Sequence, residues 1–364
     1  MPPRPRPHLR RLAPYEWEAS NEDLAAAAGI PESAIVRFDT NTAPWPPVGW
    51  EQTVLAVPRL AANEYPHPSN EPLRSTLANR MGVLPEQVVV TAGADEALYL
   101  IASVFLGPRR RAVLPTPTFT MFRVVTETAG GDLVEVPLDE QWDVPRDAVL
   151  EAACQPGVSV VWLCSPNNPT GRLVDPAVVE AVAARAQDAL VVVDEAYYEF
   201  AGVTMAPLLE RHANLVILRT FSKGYGLAGA RVGYAVGRPS VTGALDAVRP
   251  PQNLSIFSIT AACRALEDEA GLRGRVRMLC QERARLQEAL RARGWEVVPS
   301  SANFLLGRPP GSASRLSRWL QGAGLAVRTY AASSRLSNWL RVTVRSPEEN
   351  SQLLARLDEL RLWK

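Results

Sequence analysis

The sequence predicts an α/β fold in which a mostly parallel, seven-stranded sheet forms a large domain and a smaller α+β domain follows it. Between about residues 85 and 236, short β-branched runs alternate with helical stretches, as at Val158–Leu163, Val178–Ala186 and Leu190–Val193. Continuous apolar strands joined by helical crossovers are typical of a parallel sheet that is covered on both faces. After residue 250 the pattern changes, since a long helix rich in Arg and Glu, Leu272–Arg293, leads into four short strands.

The individual elements follow from these periodicities. The large domain is predicted to contain the strands Val88–Val90, Ala112–Leu114, Leu133–Val136, Val158–Leu163, Leu190–Val193, Leu215–Leu218 and Val232–Val236, with helices that include Ala94–Leu106 and Val178–Ala186. The small domain is predicted to contain the strands Val297–Val298, Phe304–Leu306, Leu325–Val327 and Leu340–Val344 and a final helix, Pro347–Leu360.

The domain boundaries are predicted from the same change of pattern. Residues 1–40 form an N-terminal arm and part of the small domain, residues 41–248 the large domain, and residues 249–364 the rest of the small α+β domain. The first twelve residues are rich in Arg and Pro. Because the prolines at positions 2, 3, 5 and 7 oppose a helix, we expect a flexible arm there.

The composition excludes several classes of function. With 39 basic and 38 acidic residues the formal net charge is +1, which points neither to nucleic acid nor to an anionic membrane as a partner. No apolar run approaches the roughly 18–20 residues that span a bilayer. The four cysteines form no CxxC pair and the three histidines lie far apart, so we expect reduced thiols in a cytoplasmic protein and no metal site.

Lysine is nearly absent from the chain. Only two of the 39 basic residues are lysines, Lys223 and the C-terminal Lys364. Arginine replaces lysine wherever a charge is enough, but its guanidinium group stays protonated and cannot attack a carbonyl. Lys223 is therefore a candidate Schiff-base former, although a stray surface lysine would give the same count.

Polar residues follow the predicted strands at their carboxyl ends, which is where open α/β sheets bind ligands. Thr91–Asp95 opens a helix whose free N–H groups favour a phosphate, although a plain helix cap explains Asp95 equally well. Asp194 ends a buried strand and needs a partner for its carboxylate, and Tyr197 follows three residues later. Arg219–Lys223 carries the internal lysine to the same edge, beside the turn Ser165–Gly171.

A dinucleotide-binding motif is a weaker interpretation of the next segment. Gly224–Gly229 matches the GxGxxG pattern, but the strand that follows at once leaves no room for the crossover helix. We expect these glycines instead to let the backbone approach a bulky ligand.

The polar residues together require an aromatic, phosphorylated, nitrogen-bearing cofactor with an aldehyde. Pyridoxal 5'-phosphate meets each requirement.

The chain also resembles a known family. The segments SPNNPTG, VVDEAYYEF and RTFSKGYGLAGARVGY resemble signatures of fold-type-I pyridoxal-phosphate aminotransferases of classes I and II. The resemblance extends from APYEW at 13–17 to NWLRVTV at 338–344. Similarity to the histidinol-phosphate aminotransferase branch is greatest in four segments: NEYPHPSNEPLR, TAGADE, PTPTFTMF and GLAVRTY. It implies a fold-type-I transaminase, a homodimer with shared active sites, and a small-molecule amino donor and 2-oxo acid acceptor.

The resemblance also implies a role for each matching residue. Lys223 would form the Schiff base and move the substrate proton, and Asp194 would pair with the pyridinium nitrogen. The other cofactor contacts would be Asn168 and Tyr197 at the ring oxygen, Phe119 on the ring face, Ala94, Asp95, Thr220, Ser222 and Arg231 at the phosphate, and Tyr65 from the neighbouring subunit. Substrate would be bound by Arg341 at its carboxylate, by Arg328 and Tyr15 at a phosphate, and by Asn41.

The reaction that the resemblance implies converts L-histidinol phosphate and 2-oxoglutarate into imidazole-acetol phosphate and L-glutamate, a step of histidine biosynthesis. Two departures leave the substrate open: the loop DTNTAPWPP, where this branch usually has an Asn-Glu-Asn-Pro-like segment, and Gln252, where many relatives carry Tyr. An aromatic or broad-specificity amino-acid aminotransferase and a threonine-phosphate decarboxylase remain alternatives. A non-catalytic ligand-sensing homologue is a rival from another class, but it would be expected to lose Lys223 or Asp194.

Overall fold

The structure is a computed structural model that describes residues 6–359 apart from residues 14, 16 and 51–62. The strands are β1 Val36–Phe38, β2 Val88–Thr91, β3 Arg111–Thr116, β4 Asp132–Pro137, β5 Val158–Cys164, β6 Leu190–Asp194, β7 Leu215–Thr220, β8 Gly233–Gly237, β9 Glu296–Val297, β10 Phe304–Arg308, β11 Leu325–Val327 and β12 Leu340–Thr343. The helices are α1 Asn21–Ala28, α2 Leu73–Met81, α3 Gly93–Phe105, α4 Met121–Ala129, α5 Arg146–Ala153, α6 Pro176–Arg185, α7 Tyr198–Ala201, α8 Pro239–Val248, α9 Ile256–Glu267, α10 Glu269–Ala292, α11 Ala313–Gly322 and α12 Pro347–Glu359.

Seven of the strands form one sheet in the order β2-β8-β7-β6-β5-β3-β4. The pairs β4-β3, β3-β5, β5-β6 and β6-β7 are parallel, whereas β8 runs antiparallel to both β7 and β2. A parallel pairing needs a crossover of about a dozen residues or more that contains a helix. The link between β7 and β8 holds only a three-residue 3-10 turn, Ala228–Ala230, so β8 has to return antiparallel. The predicted α/β class with a mostly parallel seven-stranded sheet is confirmed.

The central strands are mostly apolar because both faces of the sheet are covered. In β5, Val161 and Leu163 belong to one buried cluster, and Val160 and Trp162 belong to the cluster on the opposite face. β6 and β7 alternate in the same way between the two clusters. This double burial fixes the carboxyl ends of β5, β6 and β7 side by side, which is the position at which the polar residues emerge.

The C-terminal part builds a second core. Strands β12, β10 and β9 form an antiparallel sheet, and β1 from the N-terminal part pairs in parallel with β11. Phe38 of β1 is fully buried in the same cluster as Leu286 and Leu290 of α10. The first forty residues thus contribute a strand to this core. The boundaries at residues 40 and 248 stay a prediction.

The N-terminal arm differs from the prediction. Residues Pro7–Arg11 form a 3-10 helix that packs against α4, and the His8 ring nitrogen Nε2 lies 3.2 Å from the carbonyl oxygen of Thr128. The arm is therefore helical at residues 7–11, and its flexibility stays a prediction. Proline opposes a helix only in its interior, whereas Pro7 occupies the first position, where its missing N–H has no partner to lose. In the described ranges, no helix is long and apolar enough to cross a membrane.

A buried ion pair ties the end of β6 to β7. Arg219 donates from Nε and Nη2 to Oε2 of Glu195 at 3.0 and 2.9 Å, and the two side chains are only 6% and 1% exposed. Removing one partner of a buried pair leaves the other charge uncompensated, at a cost of about 3–5 kcal/mol. We therefore expect Glu195→Gln to lower the free energy of unfolding by about that amount in urea titrations.

The control for this prediction is the pair between Arg211 and Glu180, whose side chains are 58% and 41% exposed. Exposed pairs contribute at most about 1 kcal/mol, so Glu180→Gln should change the unfolding free energy little. Equal losses for the two variants would contradict the assigned role of Glu195.

Candidate active site

A cavity of about 270 Å³ opens at the carboxyl ends of β5, β6 and β7. Its volume is near the lower end of small-molecule sites, about 300–1,000 Å³. Thirteen of the fifteen predicted site residues line it: Tyr15, Asn41, Ala94, Asp95, Phe119, Asn168, Asp194, Tyr197, Thr220, Ser222, Lys223, Arg231 and Arg341. Six lining residues were not predicted: Glu18, Thr40, Thr42, Cys164, Ala196 and Ala228.

Asp194 presents a buried carboxylate to this cavity. It is the last residue of β6 and is 2% exposed, and its Oδ1 accepts a hydrogen bond from the Ala196 amide at 3.0 Å. Burial raises the pKa of this carboxyl group to about 7. Within the described ranges no Lys, Arg or His nitrogen forms an ion pair with it. A ligand with a cationic N–H would therefore complete the site, which is what a pyridinium nitrogen provides.

Lys223 reaches the same cavity from the segment after β7. Its Nζ donates to the carbonyl oxygen of Thr40 at 3.3 Å and lies 5.7 Å from the centroid of the Tyr197 ring. Burial, together with the positive charge of Arg341, lowers the pKa of Lys223 to about 8. The amine can therefore lose its proton near neutral pH, as a nucleophile or a base must.

This pKa predicts how attachment of pyridoxal 5'-phosphate depends on pH. Only the neutral amine attacks an aldehyde. At pH 7 about one tenth of Lys223 is neutral, against fewer than about one in a thousand for an ordinary lysine. The rate at which the apoenzyme develops the absorbance of the bound cofactor should rise with pH and level off above about pH 8. A rate that keeps rising beyond pH 10, as for an exposed lysine, would contradict the lowered pKa.

The N-terminus of α3 and Arg231 converge on one corner of the cavity. Arg231 donates from Nη2 to Oδ2 of Asp95 at 2.9 Å and from Nη1 to Oγ of Ser222 at 3.4 Å. Gly93 has a φ of +76°, which favours glycine, and a Cβ there would lie 2.6 Å from Arg231 Nη2, so a side chain would displace the guanidinium group. A guanidinium group, a hydroxyl group and free helix N–H groups form a donor set that suits a phosphate.

Arg341 belongs to β12 of the C-terminal core and lines the cavity. It is 7% exposed and donates from Nη1 to Oδ1 of Asn168 at 2.8 Å and from Nη2 to the carbonyl oxygen of Asp39. Its Nε is buried and has no hydrogen-bond partner among the described residues. Its hydrogen-bond partners are neutral oxygens, which leaves its charge available for an anionic ligand. Asn41 donates from Nδ2 to Oη of Tyr197 at 3.2 Å and so joins the same network.

Aromatic residues and a second arginine border the outer part of the cavity. The Tyr15 ring stands edge-on to Phe119 with centroids 6.5 Å apart, and burial and the charge of Glu18 raise the pKa of Tyr15. Arg328 does not line the cavity itself, but its Nη1 lies 3.3 Å from Oε1 of Glu18, which does. Its backbone also exchanges hydrogen bonds with Arg341 at 3.1 and 3.0 Å. The fold thus brings both predicted substrate arginines to one place.

Other residues that the sequence singles out lie outside the cavity. Tyr65 is 86% exposed and does not line the cavity, and neither does Gln252. The glycines of the GxGxxG match do not border it either. A Cβ on Gly224 would lie 2.9 Å from the side chain of Glu199, and one on Gly226 would lie 2.9 Å from the carbonyl oxygen of Trp45. The expectation that these glycines face a ligand is wrong for Gly224 and Gly226, which instead allow close packing of the protein against itself. The described residues contain no cluster that could hold a metal ion.

Comparisons with known proteins agree with this geometry. The family model for aminotransferase class I and II matches residues 37–357. Histidinol-phosphate aminotransferase 2 of Cupriavidus pinatubonensis is 38% identical over 334 residues, which cover 89% of this chain and 91% of that protein.

Two solved structures have the same fold. The histidinol-phosphate aminotransferase from Sinorhizobium meliloti in complex with pyridoxal-5'-phosphate superposes with a TM-score of 0.87 at 27% identity, covering 97% of this chain and 96% of that chain. The L-threonine-O-3-phosphate decarboxylase from Porphyromonas gingivalis superposes with a TM-score of 0.77 at 26% identity, covering 91% of this chain and all of that one. The shared fold therefore accommodates two reactions on phosphorylated amines.

Proposed function

Because this chain belongs to the aminotransferase class I and II family, we propose that it is a histidinol-phosphate aminotransferase. It would transfer the amino group of L-histidinol phosphate to 2-oxoglutarate, releasing imidazole-acetol phosphate and L-glutamate. The observation that carries the proposal is the pairing of Arg328 with Arg341. Residues directly opposite in an antiparallel bridge project to the same face, and two guanidinium groups on one face suit a dianionic phosphate better than a carboxylate.

The enzyme is a pyridoxal-phosphate-dependent transaminase. When bound, the cofactor supplies an electron-withdrawing ring that stabilises negative charge at the substrate carbon that loses its proton. Asp194 would bind the ring nitrogen and keep it protonated, because a buried carboxylate strongly favours a cationic partner. Tyr197 and Asn168 would hydrogen-bond the ring oxygen, Phe119 would pack on the ring face, and the phosphate would be held by Ala94, Asp95, Thr220, Ser222 and Arg231.

The side chain of Lys223 has two tasks. Its amine would hold the cofactor covalently until the substrate amine displaces it, and Nζ would then be free to take and return the substrate proton. The lowered pKa suits this second task, since a base works best when its pKa lies near the working pH. Arg341 would orient the substrate through its anionic group and so decide which bond at the reacting carbon is broken.

We also infer a homodimer in which Tyr65 completes the site of the partner subunit. Tyr65 is 86% exposed and does not line the cavity of its own chain, which supports a contribution to the site of another copy. If so, a Tyr65→Ala subunit mixed with a Lys223→Ala subunit forms hybrid dimers with one native site. Activity should therefore return when the two inactive or weakened variants are refolded together. An unchanged activity after mixing would contradict shared sites.

The location that we propose for the protein is the cytoplasm.

Steady-state assays with a panel of amino donors test the proposed substrate. Histidinol phosphate with 2-oxoglutarate should give glutamate with the highest kcat/KM in a panel that includes phenylalanine and threonine phosphate. The decarboxylase is the second candidate, because the Porphyromonas gingivalis enzyme has this fold. Release of CO₂ from threonine phosphate without transamination would favour that enzyme, and a preference for phenylalanine would favour an aromatic aminotransferase.

A further inference from the structure

We infer that Glu18 is a specificity-determining residue that adjusts the charge of the substrate site by pairing with Arg328. This inference rests on the proposed function and deepens it. The carboxylate of Glu18 lines the cavity, and its Oε1 lies 3.3 Å from Nη1 of Arg328, with side chains that are 18% and 20% exposed. The pair is therefore largely shielded from solvent, and Glu18 shares the cavity lining with the proposed substrate residues Tyr15 and Arg341.

The need for such an adjustment follows from the two half-reactions. A transaminase binds its amino donor in one half-reaction and its 2-oxo acid acceptor in the other, at one site. At the position that the arginines would contact, histidinol phosphate carries a phosphate with about two negative charges, whereas 2-oxoglutarate and the glutamate formed from it carry an α-carboxylate with one. A site with two fully available arginines would favour the phosphate and hold the carboxylate poorly, because a surplus buried cation is costly.

Arg341 and Arg328 differ in their described partners, and this difference could let one site accept both anions. Arg341 bonds only neutral oxygens through its described contacts and can serve either anion. Arg328 is paired with Glu18, so a carboxylate on Arg341 leaves the Glu18–Arg328 pair intact. A phosphate has enough charge and acceptor oxygens to draw Arg328 away from Glu18. Glu18 thus competes with the phosphate and leaves the carboxylate unaffected.

Replacing Glu18 by glutamine tests this competition in the cofactor-loaded enzyme. Loss of the competing charge should raise kcat/KM for histidinol phosphate by roughly fivefold. The value for glutamate should stay the same or fall, so the ratio of the two kcat/KM values rises. A general loss of stability would lower both values and leave the ratio unchanged. Glu22→Gln is the matched control, since Glu22 is exposed on α1 and does not line the cavity.

A double-mutant cycle shows whether Glu18 acts through Arg328. On an Arg328→Gln background, Glu18→Gln should change the ratio of kcat/KM values less than about twofold. A ratio that is the same in the wild type and in Glu18→Gln overturns the inference. A ratio that changes equally with and without Arg328 overturns it as well.

Inorganic phosphate separates this inference from the proposed substrate. We expect phosphate to inhibit the reaction with glutamate competitively, and Glu18→Gln to lower its inhibition constant by roughly fivefold, but only while Arg328 is present. If the wild-type enzyme does not use histidinol phosphate, the proposed substrate is wrong, yet the phosphate assay still decides the role of Glu18. An inhibition constant that Glu18→Gln leaves unchanged refutes that role.

Discussion

Replacing Lys223 by alanine is expected to abolish covalent attachment of the cofactor and to lower kcat on the order of 10,000-fold or more. The only other lysine of the chain is Lys364, and the remaining basic residues are arginines, which stay protonated and cannot substitute for an amine. Lys223→Arg keeps the charge in the cavity and should fail equally. Activity above a hundredth of the wild-type value in either variant would contradict the role of Lys223.

The small number of lysines gives this prediction a direct chemical measurement. Borohydride reduction of the loaded enzyme followed by peptide mass mapping should place the cofactor on the peptide that contains Lys223. The matched control is Lys364→Arg, which leaves Lys223 as the only lysine and should keep full activity and labelling. Label on Lys364, or the loss of activity in that control, would show that the assignment is wrong.

Replacing Asp194 by asparagine is expected to lower kcat by roughly 100- to 1,000-fold while the protein stays folded. Asparagine fills the same volume and still accepts the hydrogen bond from the Ala196 amide, but it carries no charge to keep the ring nitrogen protonated. The wild-type carboxyl group has a pKa of about 7 without a cationic partner, and a bound pyridinium should lower that pKa. We therefore expect the activity of the loaded wild-type enzyme to show no titration of Asp194 near pH 7.

The comparison for Asp194→Asn is Asp188→Asn, which changes an exposed aspartate in the turn before β6. Both variants remove one negative charge from the same part of the chain, so a difference between their kcat values reports the site rather than net charge. Equal activity of the two variants, at equal cofactor occupancy, would contradict the assignment of Asp194 to the ring nitrogen.

The central sheet could be predicted from sequence because burial on both faces leaves a continuous apolar run. Val158–Leu163 and Leu190–Val193 each extend by one residue in the structure, to Cys164 and Asp194. Strand β1 was not predicted, because it has only three residues, with Arg37 in the middle, and carries almost no periodicity. Helix α1 was missed although its signals are present: Ser20 and Asp23 form a capping box ahead of an Ala-rich run.

Only some of the polar residues of the site could be predicted from the sequence. Those at the carboxyl ends of strands could be predicted, because the topology of a parallel sheet brings such positions together. Neighbouring asparagines could not be told apart from spacing alone. Asn168 lines the cavity, whereas Asn167 is used within the turn, donating to Pro117 and Thr170 and accepting from Thr118. Glu18 was missed because no strand or helix leads to it, and only the fold places it beside Arg328.

The central claim is that this site removes the amino group of histidinol phosphate, and a single half-reaction tests it most directly. Histidinol phosphate would be added to the cofactor-loaded enzyme without any 2-oxo acid, and the absorbance of the bound cofactor and the released product would be followed together. We predict a rapid loss of that absorbance and one imidazole-acetol phosphate per active site, identified by mass spectrometry. An unchanged absorbance with histidinol phosphate, under conditions in which glutamate or phenylalanine does react, would contradict the claim.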